Sequence, residues 1–241
     1  MKIFASDIDN TLIPQKEPLN IEDIKKLEEL LKGVTVVYLS GRNFSLITEV
    51  LPLLPTADFT APEVGTSIYK GEEKDKEYEE YLLSTGYDWK ALEGKLRGIE
   101  GLSLQEQSAQ TNLKLSYYLQ KEYLLSEVEK VLKNTPTKIV YSRDIVKDVG
   151  LLDIIPDKGG KAGALKFISH KLGVDKKNVF YAGDSGNDFD ALNSGFKGIV
   201  VGNASTELKN AFKNDPDVYI AGGRFSKGVI EGIEKYHERE L

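Results

Sequence analysis

Apolar residues recur along this chain with two different periods. Between Asn20 and Gly33 they fall at Ile21, Ile24, Leu27 and Leu31, the spacing of one helix face. Asn20, with Asp23 three residues on, reads as the N-cap, and Gly33 stands where a helix stops. Lys2–Ser6 before it is a short apolar run that ends in acidic residues. Val34–Leu39 after it is almost wholly apolar, the form of a strand buried on both faces of a parallel sheet. The last third repeats this alternation. A helix is predicted over Lys161–Leu172, closed by Gly173, then a strand over Val179–Ala182. Further strands are predicted over Gly198–Val201 and Asp217–Ile220, each followed by helical spacing. Strands alternating with helices predict an α/β fold with a doubly wound parallel-sheet (Rossmann-like) core. Such sheets bind ligands beyond the carboxyl ends of their strands.

The middle of the chain reads differently. Helices are expected over Asp88–Arg97 and Glu122–Leu132, with strands over Leu113–Leu119, near Lys138–Tyr141 and over Leu151–Ile155. Leu113, Leu115, Tyr117 and Leu119 alternate with Lys114, Ser116 and Tyr118, which predicts a half-exposed, antiparallel sheet. The chain therefore divides into a core domain, 1–82 with 156–241, and an inserted α/β domain, 83–155.

Composition narrows the function classes. The net charge is −6 and no long run of Lys or Arg occurs, which argues against a nucleic-acid partner. No apolar run approaches the roughly 20 residues of a membrane span. No basic leader with a long apolar core precedes the first strand, so a cytoplasmic protein is expected. There is no cysteine, so neither disulfides nor thiolate chemistry is available.

Chemistry concentrates in short segments at predicted strand ends. Asp7 and Asp9 leave the first strand two residues apart. A carboxylate can attack phosphorus once the phosphoryl charge is neutralised, and a second acid can protonate the leaving oxygen and later activate water. Ser40-Gly41-Arg42 follows the second strand, offering a hydroxyl and backbone N–H groups to phosphate oxygens. Lys161 opens a helix, adding its charge to that helix's positive end. Lys158 competes for this role but lies outside the helical pattern. Gly183-Asp184-Ser185-Gly186-Asn187-Asp188 follows a buried strand and supplies hard oxygen ligands suited to Mg2+. Four carboxylates at one sheet edge would repel without a cation. Each segment alone also fits an ordinary turn; their shared placement favours a site. Gly159-Gly160-Lys161 is no nucleotide P-loop, because the upstream glycine and the following Ser or Thr are missing. His170, His237 and Trp89 read as surface or packing residues.

On these segments the chain resembles the haloacid dehalogenase superfamily of phosphohydrolases. Asp7–Leu12 resembles its first motif, Ser40–Arg42 the second, Lys161 the third and Gly183–Asp188 the fourth. The resemblance implies Asp7 as nucleophile and Asp9 as general acid/base. It implies Ser40, Gly41, Lys161 and Asn187 around the phosphate. It also implies Mg2+ held by Asp7, the carbonyl of Asp9, Asp184 and Asp188. The insert resembles the substrate-selecting cap of sugar phosphatases. Asn10, Val64–Tyr69, Lys114–Leu119 and Gly198–Ala204 are similar to the sucrose-6-phosphate phosphatase group. Two stretches depart from that group: Ser67 stands where it usually has Glu, and Ser142–Asp153 runs longer. The implied reaction is hydrolysis of sucrose 6-phosphate. Alternatives are another sugar-phosphate phosphatase acting on a mannosyl or glucosyl conjugate, a phosphohexomutase, or a non-enzymatic sugar-phosphate-binding regulator. Gly65, Thr66, Lys114, Lys147 and Asp148 are the expected sugar contacts, with a solvated surface lysine the alternative reading of Lys114. The expected partner is a small-molecule sugar phosphate, with a glycosyltransferase of the same pathway beside a monomeric enzyme.

Overall fold

The structure, a computed structural model, describes residues 1–144 and 148–239. The chain opens with β1 (Ile3–Ser6), whose four residues are all buried. α1 (Ile21–Leu30) follows, with the Asn20 side chain accepting from the Glu22 N–H and Gly33 in the left-handed region just beyond. Then come β2 (Thr35–Leu39), the short α2 (Phe44–Thr48) capped by Asn43, β3 (Phe59–Ala61), β4 (Tyr69–Lys70) and β5 (Glu73–Lys74). The next segment holds α3 (Lys76–Leu83), α4 (Trp89–Leu96), β6 (Leu102–Leu104), β7 (Leu115–Leu119), α5 (Leu125–Leu132), β8 (Thr137–Asp144) and β9 (Val149–Pro156). The chain then returns through α6 (Gly160–Lys171), β10 (Val179–Gly183), α7 (Phe189–Leu192), β11 (Lys197–Val200), α8 (Thr206–Phe212), β12 (Val218–Ile220) and α9 (Phe225–Arg239).

Two compact units result. The first comprises Met1–Lys74 and Lys161–Leu241, the second Asp75–Gly160. Boundaries at 83 and 155 thus fall inside the second unit, which also includes α3. The first unit's sheet runs β12-β11-β10-β1-β2-β3-β4-β5. It is parallel from β12 to β3, and only the short β4 and β5 pair antiparallel. From β1 the chain winds outward through β2 and β3, then returns to β10 on the other side of β1 and winds the opposite way. β1 and β10 therefore flank the topological switch point of a doubly wound sheet, where ligands bind. The apolar runs of β1, β2 and β10 are buried throughout or nearly so, which is why they lack polar alternation. Helix α1 packs beside α9, with Lys26 and Glu234 paired at 2.7 Å.

The second unit's sheet, β6-β7-β9-β8, is antiparallel throughout. Its expected half-exposure is not found at β7, where Ser116 is fully buried; Lys114, just before the strand, is also buried. The reason is non-local. Residues 105–111 fold back over the polar side of β7. The Gln110 side chain accepts from the Ser116 N–H at 2.8 Å and donates to its carbonyl at 2.9 Å. The Ser116 hydroxyl donates to Asp153 Oδ1 at 2.5 Å and lies 3.1 Å from the Ala109 carbonyl. Lys114 is thus not a solvated lysine on an exposed strand. Among the described residues no helix is long and apolar enough to cross a membrane.

Candidate active site

The parallel register pairs Ser6 of β1 with Ala182 of β10. The Asp7 N–H continues that ladder to the Ala182 carbonyl at 2.9 Å. Both chains then leave the sheet at the same edge, one carrying Asp7 and the other Asp184. Lys161, the second residue of α6, is fully buried and meets them there. Its Nζ donates to Asp7 Oδ1 at 2.6 Å, Asp188 Oδ1 at 2.6 Å and Asn187 Oδ1 at 2.9 Å, which uses all three ammonium hydrogens.

Asp188 is the most heavily bonded acid. Beyond Lys161, its Oδ1 accepts the Tyr181 hydroxyl at 2.6 Å, and its Oδ2 accepts the Asp184 and Ser185 N–H groups at 3.0 Å each. This fold-back requires glycine at 183, because a Cβ there would lie 2.6 Å from the Asp188 side chain. The Thr11 hydroxyl donates to Asp184 Oδ1 at 3.1 Å. Asp7, Asp184 and Asp188 each offer an oxygen, all within 4.8 Å of one another.

These carboxylates outnumber their cation. Burial foremost, then the neighbouring Asp188, pushes Asp7 up to about 7, although Lys161 pulls the other way. Burial, with Asp188 and Asp7, pushes Asp184 up to about 8. Burial works against the Lys161 charge, but Asp188 and Asp7 outweigh it and raise its pKa. Lys161 therefore stays charged, while Asp7 and Asp184 give up their protons less readily than free carboxyl groups do. A cluster of hard oxygen donors with surplus negative charge fits a divalent cation such as Mg2+.

Asp9 faces a different partner. Arg42 grips its carboxylate as a fork, with Nε to Oδ2 and Nη2 to Oδ1 at 2.7 Å each. The buried Ser40 hydroxyl accepts from the Arg42 N–H at 3.1 Å, so Ser40, Arg42 and Asp9 form one chain of contacts. A Cβ on Gly41 would meet nothing within 4 Å, so packing does not demand glycine there. The Ser40–Arg42 turn is backed by the segment after β3. Val64 N–H donates to the Ser40 carbonyl at 2.9 Å and Glu63 N–H to the Arg42 carbonyl at 2.8 Å. Glu63, Val64 and Gly65 all have positive φ, and for the β-branched Val64 at 58° this is strained backbone.

The structure thus brings Asp7, Lys161, Asp184, Asn187 and Asp188 together, and joins Asp9 to Ser40 through Arg42. Gly65 and Thr66 lie in the strained turn, where Thr66 bonds the Glu63 carbonyl at 2.9 Å. Asp148, exposed at the β8–β9 turn, pairs with Arg143 at 2.6 Å. Lys147 lies outside the described residues. The contacts of Tyr181, Thr11 and Arg42 carried no signal in the sequence, since each depends on a partner brought in by sheet register or by a loop.

The chain matches the family model for sucrose-6F-phosphate phosphohydrolase over residues 1–237. It is 29% identical to a mannosylfructose-phosphate phosphatase of Agrobacterium fabrum, covering 98% of this chain and 97% of that protein. It is 30% identical to sucrose-phosphatase 1 of Nicotiana tabacum over 98% of this chain, and it spans 59% of the tobacco protein's length. The crystal structure of the sucrose-phosphatase from Synechocystis sp. PCC6803, in complex with sucrose and phosphate, superimposes with a TM-score of 0.87 at 24% identity, covering 98% of each chain. That last likeness speaks for the fold.

Proposed function

Because the chain belongs to the sucrose-6F-phosphate phosphohydrolase family of phosphoric monoester hydrolases, we propose that it hydrolyses sucrose 6-phosphate to sucrose and phosphate through an aspartyl-phosphate on Asp7. The observation that carries this reading is the buried Lys161–Asp7 contact of 2.6 Å inside a cluster of three acids. Lys161 offsets charge on the phosphoryl oxygens while holding Asp7 in place. An Asp7 oxygen bonds to phosphorus as the bond from phosphorus to the sugar oxygen breaks, and Asp9, released from the Arg42 fork and carrying a proton at this stage, gives that proton to the sugar oxygen. Asp9, now a base, takes a proton from water as the water oxygen bonds to phosphorus and the bond to Asp7 breaks. Ser40, the Gly41 N–H and Asn187 hold the remaining phosphoryl oxygens. Asp7, the Asp9 carbonyl, Asp184 and Asp188 would hold Mg2+, which supplies further neutralisation of phosphoryl charge. Residues of the second unit, with Lys114 foremost, are assigned the choice of sugar.

A second substrate reading, a mannosylfructose phosphate, is favoured by the end-to-end match to the Agrobacterium phosphatase. Phosphate release across a panel of sugar phosphates, with Mg2+ and with EDTA, tests both. The reading expects fastest release from sucrose 6-phosphate and none in EDTA. Full activity in EDTA, or no release from any sugar phosphate, would refute it.

A further inference from the structure

Asn10, the residue after Asp9, has a φ of 58°, a left-handed conformation uncommon outside glycine. Local bonds hold part of it. Its N–H donates to the Ile13 carbonyl at 2.8 Å, and its Oδ1 accepts the Gln15 N–H at 3.3 Å. Its carbonyl is held from far along the chain: Asn203, just past β11, donates to it through Nδ2 at 2.7 Å. The Oδ1 of the same amide accepts the Phe225 N–H at 2.8 Å. A carbonyl only accepts and a backbone N–H only donates, so these two partners fix which end of the amide is nitrogen.

The support beneath Asn203 is itself rigid. Gly202 N–H donates to the Gly223 carbonyl at 2.6 Å, and a Cβ on Gly202 would lie 2.5 Å from the Gly222 oxygen. The Glu231 carboxylate holds this second loop, accepting the Gly222 and Gly223 N–H groups and the Tyr219 hydroxyl. An arm from the C-terminal part of the chain is thus pressed into place and ends in one amide gripping the carbonyl of Asn10, the residue after Asp9.

We propose that Asn203 is a positioning residue that fixes the Asn10 peptide and, through it, the direction in which the Asp9 carboxylate leaves the loop. The inference rests on the reading of Asp9 as the acid that protonates the leaving oxygen. Asn203 touches no reacting atom. Without its donor, the Asn10 peptide is free to leave the left-handed region and carry Asp9 with it. Displacement of a reacting group by about 1 Å costs on the order of a hundredfold in rate.

Asn203→Asp keeps an acceptor for the Phe225 N–H and removes the donor to Asn10, whereas Asn203→Ala removes both. The test compares kcat/KM for the alkyl phosphate that the parent hydrolyses fastest with kcat/KM for 4-nitrophenyl phosphate. The first step sets this ratio, and nitrophenolate departs without a proton. Asp9→Asn is measured alongside, with the thermal midpoint of every variant. Asn203→Asp is expected to lose roughly 30- to 100-fold on the alkyl phosphate, less than about fivefold on the aryl phosphate, and only a few degrees in midpoint. Equal losses on both substrates, losses that follow a falling midpoint, or rates within about threefold of the parent would overturn the inference. Should Asn203→Asp fail to fold, Asn203→Ala carries the same comparison. If Asp9→Asn shows the leaving-group effect and the Asn203 variants do not, the inference alone fails. If Asp9→Asn lacks the effect, the acid/base reading beneath it fails.

Discussion

The two units bury polar groups in opposite ways. At the first unit's sheet edge, three carboxylates share one lysine, and their charges do not balance. On the second unit's sheet, Ser116 is equally buried, but Gln110 of a folded-back segment satisfies its N–H and its carbonyl, and its hydroxyl donates to a single carboxylate, that of Asp153. The second arrangement is what a protein does with polar groups it merely needs to bury. The first costs stability and makes sense only where further positive charge completes it. The contrast separates chemistry from scaffolding without reference to any substrate.

The sharpest way to break the comparison is to remove Asp7, the proposed nucleophile, while keeping the scaffold. Asp7→Asn is expected to lower kcat by several orders of magnitude, on the order of 10⁴-fold or more, with a native circular dichroism spectrum. Near-parent turnover in the folded variant would show that the charge cluster is not catalytic. Lys161→Met comes next. It leaves Asp7 and Asp188 without their buried counter-charge, so the variant should lose about 3–5 kcal/mol of unfolding free energy above neutral pH. The loss should shrink in acid, where the carboxylates take up protons. A denaturant titration at two pH values checks this, and a pH-independent loss would contradict it.

A smaller effect concerns pH and metal together. The folded chain holds Asp7 up to about 7 and Asp184 up to about 8, against an ordinary 3.8 for both. Between those values the folded state binds more protons than the unfolded one, so metal-free stability falls as pH rises from about 4 to about 8. Mg2+ competes with the same protons. It should therefore raise the thermal midpoint more at about pH 8 than at about pH 5.5. An equal or reversed shift would break the link between the acid cluster and the cation. The smallest expected effect lies in the other unit. Ser116→Ala should cost about 1–3 kcal/mol by stranding Asp153 and the Ala109 carbonyl, the two partners of its hydroxyl, while leaving kcat on 4-nitrophenyl phosphate within about twofold. A large loss on that small substrate would erase the distinction between the two units.

The sequence made the strands of the doubly wound sheet legible because they are buried on both faces and read as unbroken apolar runs. β3, β4, β5 and β6 were missed, since two or three residues carry no period. Asp7, Asp9, Ser40, Lys161 and Asp184 were legible as candidates because strand ends and helix starts place them on one edge. Tyr181 was not, since it hides in an apolar strand and its role comes only when Asp188 folds back over Gly183. Arg42 was read within its motif without a partner, because its fork on Asp9 spans two loops separated by 33 residues. Lys114 left two readings open, and its burial, which alternation along one strand cannot reveal, decided against the solvated one.

The central claim is that Asp7 carries the phosphoryl group. Asp9→Asn offers the most direct test with labelled 4-nitrophenyl phosphate, because the first step then needs no acid while the second lacks its base. After rapid acid quench, the phosphoryl label should accumulate on the peptide containing Asp7, in step with a burst of nitrophenolate. A burst without label on Asp7, or label on another residue, would contradict it.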